Sequence, residues 1–505
     1  MGIMSSEWRG RLQHWMRTLK DDFYRPLGEI SWEAFRTMDH LSQEEAMNGP
    51  FEPVEPGFTW GKTWEYCWFR GKVLLPAEAQ GKRIVMDLKP DGESTLFVNG
   101  QEFGTYRASW VTQKHHFVED NVLTTDAVAG TEYEILMETY AGHYYPEVPR
   151  WRLCNWTGTS WAPIRIRWKR ANDGPWACVL WYLGMRMPTS YGMDADTLKQ
   201  VLDKLDPNSL RAAKIAEALE NFTLAVDFEQ DEAGRIASYR AGREALKPAL
   251  EAKNGSTTPV FYAVGNAHID LAWLWPMAET HRKTERTFAA QLRLLEEYPE
   301  YKYIQSQPAA YEMCRKYYPE LFQRIKEAVK DGKWIAEGAM WVEPDTNMAS
   351  GEALIRQLLY GKNVLQRRIW CGQPDAVASG HLWLYGGTAA DLKQLRSQIS
   401  GDSENFFGPI MKENSSPIII FYWEGMDGSK ITSFLPTSYT YRTDPSELIG
   451  VWENRSQKRD LDAFLLPFGY GDGGGGPARD YLEYAKREKD LEGCPKVKQE
   501  NPITF

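Results

Sequence analysis

The sequence predicts an α/β protein in which an antiparallel, jelly-roll-like β-domain and a helical connector precede a parallel α/β domain. Two changes of residue pattern along the 505-residue chain predict this order. Short segments of alternating apolar and polar residues give way near residue 191 to helical spacing. Near residue 256 the pattern changes again, to alternating strand and helix signals. Because domains average about 150 residues, a chain of this length can hold about three.

The β-domain is predicted over residues 51–190, after a helical lead-in over residues 1–50. In the lead-in, apolar residues are spaced to share one helical face. In the β-domain, alternating residues predict short strands, and Asn99-Gly100 predicts a tight turn between two of them. Such strands indicate a sandwich of jelly-roll type. The clearest predicted strands are 68–75, 83–88 and 132–138.

The helical connector is predicted over residues 191–255, where leucine and valine recur every three or four residues and Pro207-Asn208 breaks the pattern. Residues 256–505 form the predicted α/β domain. Its apolar runs at 260–264 and 334–336 are separated by segments with helical spacing. Because ligands of parallel α/β sheets collect at the carboxyl ends of the strands, we expect the functional site there.

Composition limits the partners that this chain can have. Lys and Arg number 59 against 69 Asp and Glu, a net charge of −10, so we expect no nucleic-acid partner. No apolar run approaches the roughly 18 residues of a membrane helix, so we expect no membrane insertion. The N-terminus lacks the apolar core of a secretion signal, and the six cysteines show no paired spacing. These features predict a cytoplasmic protein.

The most informative motif is GNAHIDLAWLWP over residues 265–276, at the end of a predicted strand. His268 and Asp270 are two positions apart, so in extended backbone their side chains point the same way. An imidazole and a carboxylate at one strand end can supply two ligands to a divalent cation. A simple His–Asp hydrogen bond is the structural alternative.

Two later segments add candidate site residues. EGAMWVEPDTNM over residues 337–348 leads from a strand into a loop that contains Asp345, and Ser350 is the expected N-cap of the next helix. In FGYGDGGGGP over residues 468–477, glycines let the backbone approach a ligand, and Asp472 can present a carboxylate to a glycosidic oxygen. The structural alternatives are a turn residue and a solvated loop acid.

Together with WEGMDGSK over residues 423–430, these segments resemble glycoside hydrolase family 38, the metal-dependent α-mannosidases, in its bacterial and cytosolic branch. The resemblance implies that the α/β domain is a (β/α)7-type barrel and that the N-terminal sandwich is the β-domain preceding it. It also implies retaining hydrolysis of terminal α-mannosides, with a mannose-containing oligosaccharide as the substrate.

The resemblance further implies roles for individual residues. His268 and Asp270 are expected to bind zinc or another divalent cation, such as cobalt. Asp472 is expected to act as the catalytic acid/base. The expected substrate-binding residues are Trp273, Trp341 and Asp345.

One interval, residues 363–420, departs from the family pattern. Retaining glycosidases need two carboxylates about 5–5.5 Å apart. The family nucleophile is the Asp of a motif resembling L-P-D-x-F-G-Y, which is absent here; Asp375 is a weak substitute. Codons permitted for residues 368–391, read one nucleotide later, can encode EYGVDSQMLWLPDTFGYTAALPQI, with the Asp arising from Gly380-His381. We therefore interpret this interval as a frame-shifted translation, which a verified uninterrupted reading frame would contradict.

The chain stops at Phe505. There the resemblance implies a further helical segment with another metal-ligand histidine and then β-domains, so we expect a truncated chain with little or no hydrolase activity. Two other functions stay open: a noncatalytic carbohydrate-binding protein and a metal-dependent carbohydrate deacetylase. Linkage preference, metal identity and a homo-oligomeric state also stay open.

Overall fold

A computed structural model describes most of the chain, and its residues fall into two compact units. Unit 1 comprises Met1–Leu202, Asp206–Leu250 and Ala272–Arg293, and unit 2 comprises Asp203–Leu205, Glu251–Leu271 and Leu294–Phe505. The described residues are 3–21, 24–55, 58–62, 64–88, 93–106, 121–142, 164–165, 179–183, 187–273, 275–337, 340–344, 349–369, 420–424, 430–434, 438–455, 457–459, 461–470 and 474–502.

Unit 1 contains the antiparallel strands, three connector helices and most of a long helix that begins at Met277. In chain order its elements are α1 (Ser6–Asp21), β1 (Tyr24–Glu29), β2 (Trp32–Thr37), α2 (Gln43–Met47), β3 (Glu52–Val54), β4 (Thr59–Trp60), β5 (Tyr66–Leu74), a 3-10 turn (Ala77–Ala79), β6 (Arg83–Asp87), β7 (Glu93–Val98), β8 (Gln101–Tyr106), β9 (Val122–Thr124), β10 (Glu132–Tyr140), β11 (Ile164–Arg165), β12 (Val179–Leu183), α3 (Met187–Lys204), α4 (Leu210–Ala225), α5 (Glu232–Leu250) and α6 (Met277–Glu297).

Among the described residues, two larger antiparallel sheets and the two-stranded β4-β11 pair form the β-domain, as the strand pattern predicts. One sheet has the order β3-β2-β5-β10-β7-β8, and the other has the order β1-β12-β6-β9. Along β5, Cys67 and Phe69 belong to the large apolar core that also contains Ile84 of the second sheet, whereas Trp68 packs on the opposite face. Successive side chains of a strand point to opposite faces of the sheet, so neighbouring residues of β5 pack in two different apolar clusters. The turn at Asn99-Gly100 has positive φ at both residues, as a type I′ two-residue hairpin requires.

The predicted helical lead-in over residues 1–50 is wrong beyond residue 21. The helix α1 is present, with Leu12 and Leu19 buried, but the chain then forms β1 and β2. β2 pairs with β3 and β5 on its two edges, and it places Trp32 and Ala34 in the core between the sheets. Cross-strand pairing and burial therefore outweigh the polar composition that suggested helix.

The connector consists of α3, α4 and α5. Leu198 and Val201 are fully buried, which fits the helical spacing of apolar residues. After the break at Pro207-Asn208, Ser209 caps α4 by accepting a hydrogen bond from the backbone N–H of Ala212 at 3.2 Å. Across the described parts of the chain, no helix is both long and apolar enough to cross a bilayer.

Unit 2 contains the parallel strands and the helices that connect them. Its elements are β13 (Val260–Asn266), β14 (Tyr303–Gln305), α7 (Pro308–Tyr317), α8 (Pro319–Lys330), β15 (Trp334–Ala336), α9 (Gly351–Val364), a π-helical turn (Leu365–Ile369), β16 (Ile420–Glu424), β17 (Lys430–Phe434), α10 (Pro445–Glu453), β18 (Ala463–Phe468), α11 (Arg479–Arg487), a 3-10 turn (Glu488–Asp490) and β19 (Lys496–Gln499).

The parallel sheet of unit 2 has the order β15-β14-β13-β18, and β19 also pairs with β13. Val264, Ile304, Ile335 and Leu465, one from each strand of that order, form an apolar cluster. β16 and β17 pair with each other in antiparallel fashion. The strands described here thus give an α/β unit that includes an antiparallel hairpin; they do not establish the predicted (β/α)7 closure.

Ala272 has a backbone conformation that is costly for an L-amino acid. Its φ is 56°, and its N–H donates to the Thr280 hydroxyl at 3.0 Å. Left-handed backbone costs a residue with a Cβ about 1–2 kcal/mol, whereas glycine adopts it freely. We therefore expect Ala272→Gly to raise the free energy of unfolding by up to about 1 kcal/mol, after the larger entropy of the unfolded glycine chain is deducted.

Urea unfolding measures this effect, and Ala213→Gly in the helix α4 is the matched control. The control should lose about 1 kcal/mol because glycine disfavours a helix interior. Equal losses in both variants would contradict the strain at Ala272.

Candidate active site

The candidate site lies in unit 2, where the chain leaves the carboxyl end of β13. His268 and Asp270 follow this strand, and their side chains converge, with 3.0 Å between His268 Nε2 and Asp270 Oδ1. The His268 side chain is 5% exposed and that of Asp270 is 31% exposed. The structure therefore brings together the two residues that the motif singles out, with the carboxylate on the more open side.

Glu343 is a third member of this group, and the sequence analysis did not assign it a role. Its Oε2 lies 2.6 Å from His268 Nδ1, and both atoms are buried; the contact is a close ion pair without the angle of a directed hydrogen bond. The Ser306 hydroxyl donates to Glu343 Oε1 at 2.9 Å. In the sequence, Glu343 is marked out only as an acidic residue in the loop after β15. Its partner, His268, is 75 positions away, so no local pattern links the two residues.

The charge balance at His268 favours the imidazolium. Burial lowers the pKa of His268, but the neighbouring carboxylates of Glu343 and Asp270 more than offset it, and the pKa lies well above the ordinary value. A positive charge is therefore well accommodated between these two carboxylates, whether a proton or a metal cation supplies it.

Side-chain amides that donate to backbone carbonyls hold the chain on both sides of His268. The Asn266 amide donates to the Tyr439 carbonyl at 3.3 Å, and the Tyr439 ring meets the His268 ring edge to face at 5.8 Å. The Gln307 amide donates to the Ile269 carbonyl at 2.9 Å. Segments after β14 and before α10 thus fix the path of the motif.

The glycine-rich segment contacts the same motif, because the Gly474 N–H donates to the His268 carbonyl at 2.8 Å. Gly469, at the start of this segment, has a φ of 135°, and an added Cβ would lie 2.6 Å from the Asn266 carbonyl oxygen. Glycine is thus required for the close approach. Asp472, the expected acid/base, lies outside the described residues, and so does Asp375.

The loop that carries Trp341 and Glu343 is held by two helices. The Trp341 N–H donates to the Gln357 carbonyl at 3.0 Å, and the Trp341 carbonyl accepts from Ala309 at 3.0 Å. The Val342 N–H donates to the Gln357 side chain at 2.9 Å. Trp341 is partly buried, and its expected sugar contact stays a prediction; Asp345 lies outside the described residues.

Trp273, the other expected sugar-contacting aromatic residue, belongs to unit 1. Its side chain is 51% exposed, and its ring meets that of Trp275 edge to face at 5.4 Å. The Trp275 indole donates to the Thr280 hydroxyl at 3.1 Å, which fixes this neighbour. A partly exposed aromatic face suits a sugar ring, and the role of Trp273 stays a prediction.

Glu337 directly follows β15, and burial raises its pKa to about 7. Because the unfolded carboxyl titrates near 4.5, wild-type stability should fall as pH rises from about 4.5 to 7. We expect Glu337→Gln to be more stable than wild type at pH 8, by up to about 3 kcal/mol, and the difference to shrink at pH 4.5.

Urea unfolding at the two pH values measures this difference. Glu296→Gln is the surface control, because Glu296 is half exposed beside Arg324. It should follow the pH dependence of wild type, and a Glu337→Gln variant that does the same would contradict the burial effect.

Two regions of this chain match known protein families. The description "Glycosyl hydrolases family 38 N-terminal domain" matches residues 259–505, which include β13, the His268–Asp270 pair and the glycine-rich segment. "Alpha-mannosidase, jelly roll domain" matches residues 28–144. Residues 259–505 thus belong to glycoside hydrolase family 38.

Two curated relatives match the chain over nearly its whole length. "Alpha-mannosidase G" of Dictyostelium discoideum is 26% identical over 484 residues, which are 93% of this chain and 41% of the relative. Human "Alpha-mannosidase 2C1" is 27% identical across 97% of this chain and 47% of its own length. The chain thus spans less than half the length of these two relatives.

Two further matches cover part of the chain. A Saccharomyces cerevisiae "Alpha-mannosidase" is 33% identical over 238 residues, which are 46% of this chain and 21% of the relative. A solved α-mannosidase structure from Enterococcus faecalis V583 aligns with 18% identity and a TM-score of 0.36, covering 49% of this chain and 28% of that one.

Proposed function

We propose that this chain carries the cation and sugar site of an α-mannosidase, which hydrolyses terminal α-mannosides with retention in a metal-dependent reaction. The observation that carries the proposal is the convergence of His268 and Asp270 after β13, within the residues matched to family 38. The proposed substrate is a mannose-containing oligosaccharide, which also follows from the names of the relatives.

The distance between the His268 and Asp270 side chains fits two ligands of one divalent cation. Adjacent ligands of one zinc ion, each about 2 Å from the metal, lie about 3 Å apart. His268 Nε2 and Asp270 Oδ1 are 3.0 Å apart. Among the residues that the structure describes, no group of three or more His, Cys, Asp or Glu is arranged to hold a metal ion, so we propose these two as part of a larger ligand set.

In this proposal the chain's own residues position the sugar. A bound zinc or cobalt ion would act as a Lewis acid that orients sugar hydroxyls. Trp341 would offer an aromatic face to the ring, and Asp345 would accept hydrogen bonds from its hydroxyls. Asp472 would protonate the leaving oxygen and later take a proton from water, opposite a carboxylate nucleophile.

The architecture that we propose around the site is a (β/α)7-type barrel containing the parallel strands of unit 2. Support comes from the family match and from the parallel pairing of β13 with β14, β18 and β19. Site residues then follow the carboxyl ends of the strands, as in other α/β barrels. We also propose a cytoplasmic location, in agreement with the absence of paired cysteine spacing.

Binding of a mannoside tests this function without requiring turnover. Isothermal titration of the 505-residue protein with methyl α-mannoside should show binding in the presence of Zn²⁺ and none after chelation. Methyl α-glucoside is the matched control ligand. Failure to bind the mannoside under both conditions would contradict the proposal. In a separate assay with an acetylated sugar, release of acetate without release of the sugar itself would also contradict it.

Hydrolysis of an aryl α-mannoside tests the missing nucleophile separately. Because residues 363–420 lack the family's nucleophile motif, we propose little or no turnover by this chain. Robust release of the aryl group would contradict that part of the account while supporting the family function.

A further inference from the structure

The second ring nitrogen of His268 is engaged by a buried carboxylate that the proposed chemistry does not use. Glu343 Oε2 lies 2.6 Å from Nδ1, on the opposite side of the ring from Asp270. The Glu343 side chain is 13% exposed, and that of His268 is 5% exposed. The imidazole thus has a carboxylate beside each ring nitrogen, and the Asp270 side chain is the more exposed of the two.

Glu343 is itself held in place. The Ser306 hydroxyl donates to its Oε1 at 2.9 Å, which leaves Oε2 directed at His268. Gln357 of α9 binds the backbone of Trp341 and Val342, directly before Glu343. Side-chain and backbone contacts from two other segments therefore determine where this carboxylate lies.

We propose that Glu343 is a positioning residue that fixes the orientation and tautomer of His268, so that Nδ1 keeps its proton and Nε2 presents its lone pair beside Asp270. This inference rests on the proposed cation site and deepens it. A histidine ligand usually donates its other N–H to a carboxylate or carbonyl, which orients the ring and makes the ligating nitrogen more basic. Ser306 continues this chain of contacts outward.

Zn²⁺ affinity of the 505-residue protein, measured by isothermal titration, tests the role without using activity. Glu343→Ala should weaken Zn²⁺ binding by about 10–100-fold. Glu343→Gln should lose less, because its amide oxygen can take the place of Oε2 beside Nδ1. Ser306→Ala should also weaken binding, by less than Glu343→Ala. Glu296→Gln, a surface change that removes the same charge, should leave the affinity unchanged.

The nitrogen resonances of His268 provide a readout that a merely structural role would not change. In the Zn²⁺-loaded protein with ¹⁵N-labelled histidine, wild type should show a protonated Nδ1 and an unprotonated Nε2. His268→Ala identifies the resonance among the eight histidines. In Glu343→Ala, the His268 resonances should no longer show one single tautomer. Thermal unfolding of this variant without metal shows whether it is folded. If Glu343→Ala fails to fold, the Zn²⁺ affinities and the His268 resonances of Ser306→Ala and Glu343→Gln test the positioning role instead.

The outcomes separate the two proposals. Equal Zn²⁺ affinity and equal His268 resonances in wild type and in the Glu343 variants would overturn the positioning role alone, as would a metal-bound Nδ1 in wild type. Absence of Zn²⁺ binding by wild type would overturn the positioning role together with the proposed cation site.

Discussion

Replacing His268 with alanine is expected to reduce Zn²⁺ affinity by more than about 100-fold, a larger loss than an outer partner of a metal ligand causes. The variant removes one of the two proposed ligands and leaves Asp270 and Glu343 facing an empty space. Because His268 is buried between these carboxylates, the stability of the variant must be measured as well.

Asp270→Asn gives an independent test of the same pair. It keeps the size of the side chain, which is 31% exposed, and removes the charge that attracts a cation. His14→Ala on α1 is the control for loss of an imidazole at an exposed position. Retention of wild-type affinity by both His268→Ala and Asp270→Asn would contradict the proposed ligands.

Replacing Glu279 with alanine is expected to lower the free energy of unfolding by about 3–5 kcal/mol. Glu279 is fully buried at the start of α6, where its carboxylate accepts a hydrogen bond from the Tyr66 hydroxyl at 2.5 Å and pairs with Arg286. Without it, the buried Tyr66 hydroxyl loses its acceptor, and Arg286 loses one ion pair while it keeps the one with Glu93.

Urea unfolding measures the loss, with Glu217→Ala as the matched control. Glu217 pairs with Lys214 on the surface, and both side chains are more than half exposed, so this variant should lose less than about 1 kcal/mol. A Glu279→Ala variant that loses no more than the control would show that the buried network does not stabilise the contact between α6 and the β-domain.

Local signals predicted the elements that depend on local chemistry. The Asn99-Gly100 turn has the positive φ values that its sequence demands, and Ser350 caps α9 by accepting from Ala353. β1 and β2 were missed, because their pairing partners lie elsewhere in the chain. Strand propensity in a six-residue segment is too weak to overcome a polar composition without those partners.

The candidate site was predictable only where the motif itself brings two residues together. His268 and Asp270 are two positions apart, so the geometry of one extended segment makes them converge. Glu343 reaches this imidazole, and Ser306 reaches Glu343, through the pairing of β13, β14 and β15, which no local pattern encodes. The roles of Asp345 and Asp472, which lie outside the described residues, stay predictions.

Anomalous diffraction at the zinc absorption edge, from crystals of the 505-residue protein grown with Zn²⁺, tests the central claim most directly. The account predicts one strong anomalous peak bonded to both His268 Nε2 and Asp270, with Nδ1 turned toward Glu343. No peak at this position, or a peak bonded to other residues while the His268–Asp270 contact stays closed, would contradict it.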